Sequence, residues 1–155
     1  MPDSEKKPAL RLREFLPYRL SVLSNTVSRR IADLYDREFG LNIWQWRVMA
    51  VTGDTPGISA TEIGQRTAMD KVAVSRAVAG LIELGYMERT TSESDGRRSQ
   101  LFLTDEGQNI YELIVPIALQ AERELFETLS PADQKDLARL MDKLADAASP
   151  DRKLW

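Results

Sequence analysis

Apolar residues recur at every third or fourth position over most of this chain, which is the spacing of helices buried along one face. Leu16, Leu20, Leu23, Val27, Ile31 and Leu34 predict a long helix within residues 11–39. Pro17 suits a first turn, so the regular helix is expected to begin near Leu16, and Gly40 ends it. Asn42, with Gln45 three positions on, is a cap for a second helix reaching about residue 52. Residues 53–57, with Pro56, read as a turn. Ser59 and Glu62 repeat the capping spacing and open a short helix through residue 67. After a break at 68–70, Asp70 caps a helix over 71–84, in which Val74, Ala77, Val78 and Leu81 form one apolar stripe. Gly85 lies where a left-handed residue is wanted.

Residues 86–90 and 99–103 are short strand-like runs joined by a polar turn at 91–98, a hairpin of the longer-loop kind. Thr104 then caps a helix to about residue 129, with Ile110, Leu113, Ile114, Ile117, Ala121 and Leu125 on its apolar face and Pro116 expected to kink it. Ser130 and Pro131 start the last helix, which carries Leu137, Leu140, Met141 and Leu144 and fades at 148–150. The expected organisation is a flexible stretch at 1–10, one domain over 11–148 and a tail at 149–155. The fold class is mainly α, an α+β arrangement in which the hairpin is the only β-structure.

Helix, turn, helix, hairpin is the order of a winged helix-turn-helix, and that order reads as a DNA reader. The 71–84 helix supports this more sharply. Opposite its apolar stripe it carries Lys71, Val72, Ser75, Arg76 and Ala79, which are small or basic and include no carboxylate. A helix entering a major groove must be slim, must not repel phosphates, and needs polar tips for base edges. Arg76 is the first candidate for such a contact and Ser75 the second. Read blandly, this is a solvated helix face with an incidental arginine. Asp95-Gly96-Arg97-Arg98 places two guanidinium groups at the hairpin tip beside a carboxylate that could hold one of them. Arginine there suits a narrow minor groove, where the potential is most negative. Arg89, at the base of the wing, fits a partner for Asp95 or a phosphate contact.

Several fragments together carry a family resemblance: Ser59-Ala60-Thr61-Glu62-Ile63, Val74-Ser75-Arg76, Leu81 with Gly85, Arg89, Asp95-x-Arg97 and Leu103-Thr104-x-x-Gly107. In that order and spacing, with Leu16-Pro17-Tyr18-Arg19-Leu20 and Trp46-Arg47-Val48 upstream, the chain resembles the MarR family of bacterial transcriptional regulators. The resemblance spans nearly the whole chain. It implies a homodimeric winged helix-turn-helix repressor or activator, often responsive to a small aromatic or phenolic molecule. By match of motif, Ser75 and Arg76 would sit in the major groove and Arg97 in the minor groove, with Asp95 orienting the wing. Ser59, Thr61, Lys71, Val72, Arg89 and Arg98 complete the expected DNA-binding set. The helix-turn-helix would occupy about 59–84, the wing about 86–103, and the dimerisation helices about 11–39 and 105–148.

Composition narrows the chemistry. The 155 residues contain no cysteine and no histidine. This removes disulfides, thiolate metal sites and thiol redox sensing, and with them the commonest general base and metal ligand. No metal or cofactor is expected, and a zinc- or peroxide-responsive version of the family is disfavoured. With no phosphate loop and no nucleophile–base pair either, an enzyme is the least supported class; Asp105 and Glu106 read as first-turn residues complementing a helix dipole. The first fifteen residues have no apolar core of a signal segment, and no apolar run approaches a membrane span, so a cytoplasmic protein without membrane attachment is expected. The net charge of −3 looks wrong for a DNA binder, but the acidity is concentrated in the last two helices while the winged region is balanced.

Two partners remain to be read. The terminal helices carry wide apolar stripes that the winged core is too small to cover, so pairing with a second copy is expected; packing of the helices within one monomer is the alternative. A two-fold dimer would present two recognition helices to an inverted-repeat operator in double-stranded DNA, one turn apart. Tyr18, Arg19, Trp44, Trp46 and Arg47 fall near the junction of the first two helices. Aromatic walls and a guanidinium fork would suit a carboxylated aromatic ligand, and the resemblance places the family's pocket in the same region. Read blandly, the tryptophans are core and Arg47 pairs with a carboxylate such as Asp36 or Glu38. A dimeric interaction module without DNA binding would keep the core stripes but would have no use for Arg76 and Arg97.

Overall fold

The computed structural model describes residues 9–91 and 99–155. Six helices and one hairpin follow in the order α1 (Leu16–Phe39), α2 (Ile43–Asp54), α3 (Ala60–Thr67), α4 (Lys71–Glu83), β1 (Met87–Thr91), β2 (Ser99–Leu103), α5 (Asp105–Phe126) and α6 (Pro131–Ala148). The architecture is mainly helical, with the hairpin as a wing.

Most helix starts are fixed by local hydrogen bonds. The Asn42 side chain accepts from the amides of Trp44 and Gln45, both at 3.0 Å, and Gln45 returns a bond to the Asn42 amide at 2.9 Å. Ser59 and Glu62 make the same reciprocal pair at α3, and Ser130 and Asp133 at α6. Asp70 accepts from the Ala73 amide at 2.8 Å, and Thr104 from the Gly107 amide at 3.0 Å. Helix α1 has no such side-chain bond; a turn at residues 11–15 leads into it, and Pro17 stands in its first turn. The helix therefore begins at Leu16, as the proline indicated, and not at the start of the 11–39 span.

The core lies where α2, α3, α4 and the wing converge under the C-terminal half of α1. Tyr35, Leu41, Val48, Met49, Ile63, Val74, Val78, Leu81, Leu101 and Ile114 are all buried there. In the hairpin Met87 pairs with Leu103 and Arg89 with Leu101, antiparallel. A third segment joins its free edge: Ile58 bridges Leu101, with bonds of 2.9 Å from the Gly57 amide and 3.0 Å to the Ile58 carbonyl. The residues ahead of α3 are thus tied to the wing.

The turn expected at 53–57 begins later than its composition indicated. Helix α2 continues through Gly53 to Asp54. Gly53 is in the helix because the Tyr111 ring of α5 lies against it: a Cβ there would stand 2.9 Å from that ring. Its lack of a side chain serves packing, where a breaker was expected. At the other end, α5 stops at Phe126, short of residue 129, and runs through Pro116 as one helical element.

Candidate nucleic-acid interface

The helix-turn-helix is closed by small residues at its bend. Ala68 adopts a left-handed conformation, with φ of +53°, to let the chain turn out of α3. A Cβ on Gly64 would stand 3.3 Å from the Met69 carbonyl, so a glycine lets the bend sit close to α3. Helix α4 then buries Val74, Ala77, Val78 and Leu81 and leaves Lys71, Val72, Ser75, Arg76 and Ala79 exposed, the division that the 3.6-residue period predicts. Neither Lys71 nor Arg76 has a carboxylate within ion-pair distance among the described residues. The face therefore presents two cations and a hydroxyl on a slim ridge.

The remaining candidates divide by what already occupies them. Ser59 spends its hydroxyl as the cap of α3, donating to Glu62 Oε2 at 2.6 Å. Thr61 is exposed on the first turn of that helix, and Arg89 is exposed on β1. Thr61, Lys71, Ser75 and Arg89 line one cavity of about 700 Å³ beside the bend. Arg152, from the segment after α6, lines it too, although it was not among the sequence-based candidates. A lone arginine 87 positions from its contact at Gln65 carries no local signal that sequence reading could use. Asp95, Arg97 and Arg98 lie outside the described residues.

The five residues expected to meet at the α1–α2 junction are divided. Trp44 is exposed, and the Arg47 guanidinium lies over its ring at 5.3 Å from the centroid. Arg47 also donates to Ser28 Oγ at 3.1 Å, and this replaces the carboxylate pairing with Asp36 or Glu38. Trp46 goes the other way, tilted on Tyr35 at 5.6 Å and stacked on Tyr111 at 6.0 Å. Tyr18 and Arg19 sit near the start of α1, some ten residues before Ser28 and so roughly 15 Å away along the helix. The structure therefore brings Trp44 and Arg47 together and leaves Tyr18, Arg19 and Trp46 apart from them.

Tyr35 marks the same junction. Burial pushes its phenol from the usual 10 up to about 12; the nearby Arg47 charge works against that rise and Asp36 adds to it.

Known proteins share this fold. A family model described as MarR family matches residues 39–98. The chain is 27% identical over 103 residues to the transcriptional regulator HosA of Escherichia coli O111:H-, covering 66% of this chain and 76% of HosA. It superposes on a MarR/EmrR family transcriptional regulator from Acinetobacter sp. ADP1 with a TM-score of 0.83 and 27% identity, covering 91% of this chain and 99% of that one. It shares its fold with Sco3205 of Streptomyces coelicolor, a MarR family regulator solved in complex with DNA. The TM-score is 0.79 at 23% identity, over 98% of this chain and 99% of the other.

Proposed function

Since this chain belongs to the MarR family of DNA-binding transcriptional regulators, we propose that it acts as a homodimer on an inverted-repeat operator, as a repressor released by a small aromatic acid. The observation that carries the DNA contact is the exposed face of α4, with Lys71, Ser75 and Arg76 free of carboxylate partners among the described residues. On this reading α4 enters the major groove, with Arg76 and Ser75 at base edges and Lys71, Arg89 and Thr61 toward the backbone. By match of motif, Arg97 and Arg98 would serve the minor groove and Asp95 would orient the wing. Ser59 acts by capping α3.

Support for the homodimer comes from the long helices. Leu137, Leu140, Met141 and Leu144 of α6 are all exposed, as are Leu16, Leu20 and Leu23 of α1. A second copy related by a two-fold axis would cover these stripes and set two α4 helices one DNA turn apart. For the ligand, the support is the Trp44–Arg47 pair with Ser28, an aromatic face and a guanidinium side by side. No helix among the described residues is long and apolar enough to cross a membrane.

The test is fluorescence anisotropy of the protein against DNA from upstream of its own gene, with a scrambled duplex beside it. Binding should favour the native duplex and weaken steeply with salt. Arg76→Ala should lower affinity by roughly tenfold and relax the preference, whereas Arg97→Ala should mainly lower affinity and reduce the salt slope by about one. If neither change alters binding to the native duplex by more than about twofold, the groove contacts are misassigned. Benzoate added to the complex should release the DNA, and Arg47→Ala should abolish that release.

A further inference from the structure

The segment after α6, residues 149–155, crosses back to the helix-turn-helix and brings a charge with it. Trp155 Nε1 donates to Asp142 Oδ1 at 2.8 Å, which ties the segment to α6. Leu154 is half-buried, and with Lys153 and Trp155 it lines a cavity against Ala50 and Val51 of α2. Just ahead of these anchors, Arg152 Nη2 donates to the Gln65 carbonyl of α3 at 3.2 Å. A guanidinium has five N–H groups, and this is the single hydrogen bond that Arg152 makes among the described residues. No described carboxylate lies within ion-pair distance of it.

The place where this charge is held matters. Arg152 lines the cavity that Lys71, Ser75 and Arg89 also line, at the start of α4. Three cations thus line one concavity, and the carboxylate in its lining, Asp70, caps the Ala73 amide. A helix N-terminus flanked by lysine and arginine is suited to a phosphate oxygen, and such contacts fix a protein's register on a duplex without reading sequence.

We propose that Arg152 is a DNA-backbone contact, so that the segment after α6 forms part of the nucleic-acid interface and grips a phosphate together with Lys71 and Arg89. The inference rests on the DNA-binding reading above. It adds a contact delivered from the far end of the helical framework, separate from α4 and the wing. The bond to Gln65 positions the guanidinium, and its remaining N–H groups meet the phosphate.

The experiment compares Arg152→Gln, Arg152→Lys and Arg152→Ala with the unchanged chain on the native and scrambled duplexes, from about 50 to 200 mM salt. Glutamine keeps a donor for the Gln65 carbonyl and loses the charge; lysine keeps the charge. Gln and Ala should weaken binding by roughly three- to tenfold on both duplexes alike and lower the log–log salt slope by about one, while Lys stays within about twofold. An unchanged slope in Arg152→Gln, with Arg76→Ala still weakening binding, overturns the inference. So does an equal loss in Lys and Gln, because the charge that lysine retains would then make no difference to binding. Failure of the unchanged chain to bind any duplex would instead overturn the DNA-binding reading, and this inference with it.

Discussion

The two halves of this molecule obey the same periodicity and reach opposite ends. In α4 the residues at helical spacing, Val74, Val78 and Leu81, are sealed against α2, α3 and the wing. In α6 Leu137, Leu140 and Leu144 have the same spacing and remain 39 to 49% exposed, and the buried residue of that helix is Ala145. The N-terminal half of α1 resembles α6 in this respect, and its C-terminal half, at Tyr35, resembles α4. An apolar stripe therefore says that a helix face needs cover. It does not say whether the cover comes from the same chain.

That contrast can be broken from either side. The largest effect is expected from charging the uncovered side. In the proposed homodimer, Leu140→Glu with Leu144→Glu removes four half-exposed leucines, worth roughly 1 kcal/mol of further burial each, and puts four carboxylates in their place. Association should weaken by more than about a thousandfold. Light scattering across a dilution series should then report a monomer whose far-ultraviolet circular dichroism is unchanged. An unchanged dimer mass would place the interface elsewhere.

A smaller effect is expected on the sealed side. A Cβ at Gly107 would overlap the Tyr86 carbonyl, a backbone atom that has little room to move. Gly107→Ala should cost about 3 kcal/mol, the upper part of the range for overpacking, and lower the melting temperature by roughly 5–10 °C. A melting temperature within a degree or so of the unchanged chain's would mean that the start of α5 is softer than its contacts indicate.

The smallest effect sharpens the comparison at the seam. The Tyr35 phenol titrates near 12 in the folded chain and near 10 when unfolded, so the folded state holds its proton over that interval. The resulting stability is fully present below pH 10 and is lost as pH rises toward 12. By pH 11 the loss should be about 1 kcal/mol, seen as a steeper alkaline fall in urea-unfolding free energy than Tyr35→Phe shows. Parallel curves for the two proteins would mean that the phenol is as free to ionise as in water.

Features decided within a few residues were legible in the sequence. Asn42 with Gln45, Ser59 with Glu62, Asp70, Thr104 and Ser130 all cap the helices that they were expected to cap, because a side chain bonding the amide three positions on needs nothing distant. The buried stripe of α4 and the β2 limits followed from pattern in the same way. Contacts between distant residues were not legible. Gly53 looked like punctuation until the Tyr111 ring was seen against it. The Ile58 bridge to Leu101 and the approach of Arg152 to Gln65 have no local trace. The division among Tyr18, Arg19, Trp44, Trp46 and Arg47 has one reason that the sequence did contain. Trp44 and Trp46 are two apart on a helix, and such residues do not share a face.

One hydroxyl has a mechanical consequence. Thr104 Oγ1 donates to the Gly85 carbonyl at 2.6 Å and accepts from the Gly107 amide at 3.0 Å, while its own amide donates to the Tyr86 carbonyl at 3.1 Å. The exit of α4, the return of the wing and the entry of α5 thus meet at one residue. From that joint α5 extends as a shaft of about 33 Å, at 1.5 Å for each of its 22 residues. A displacement of about 2 Å at the far end of such a shaft is a rotation of roughly 3.5° at the joint. A small shift at the far end of α5 therefore reaches the exit of α4 as a rotation about Thr104.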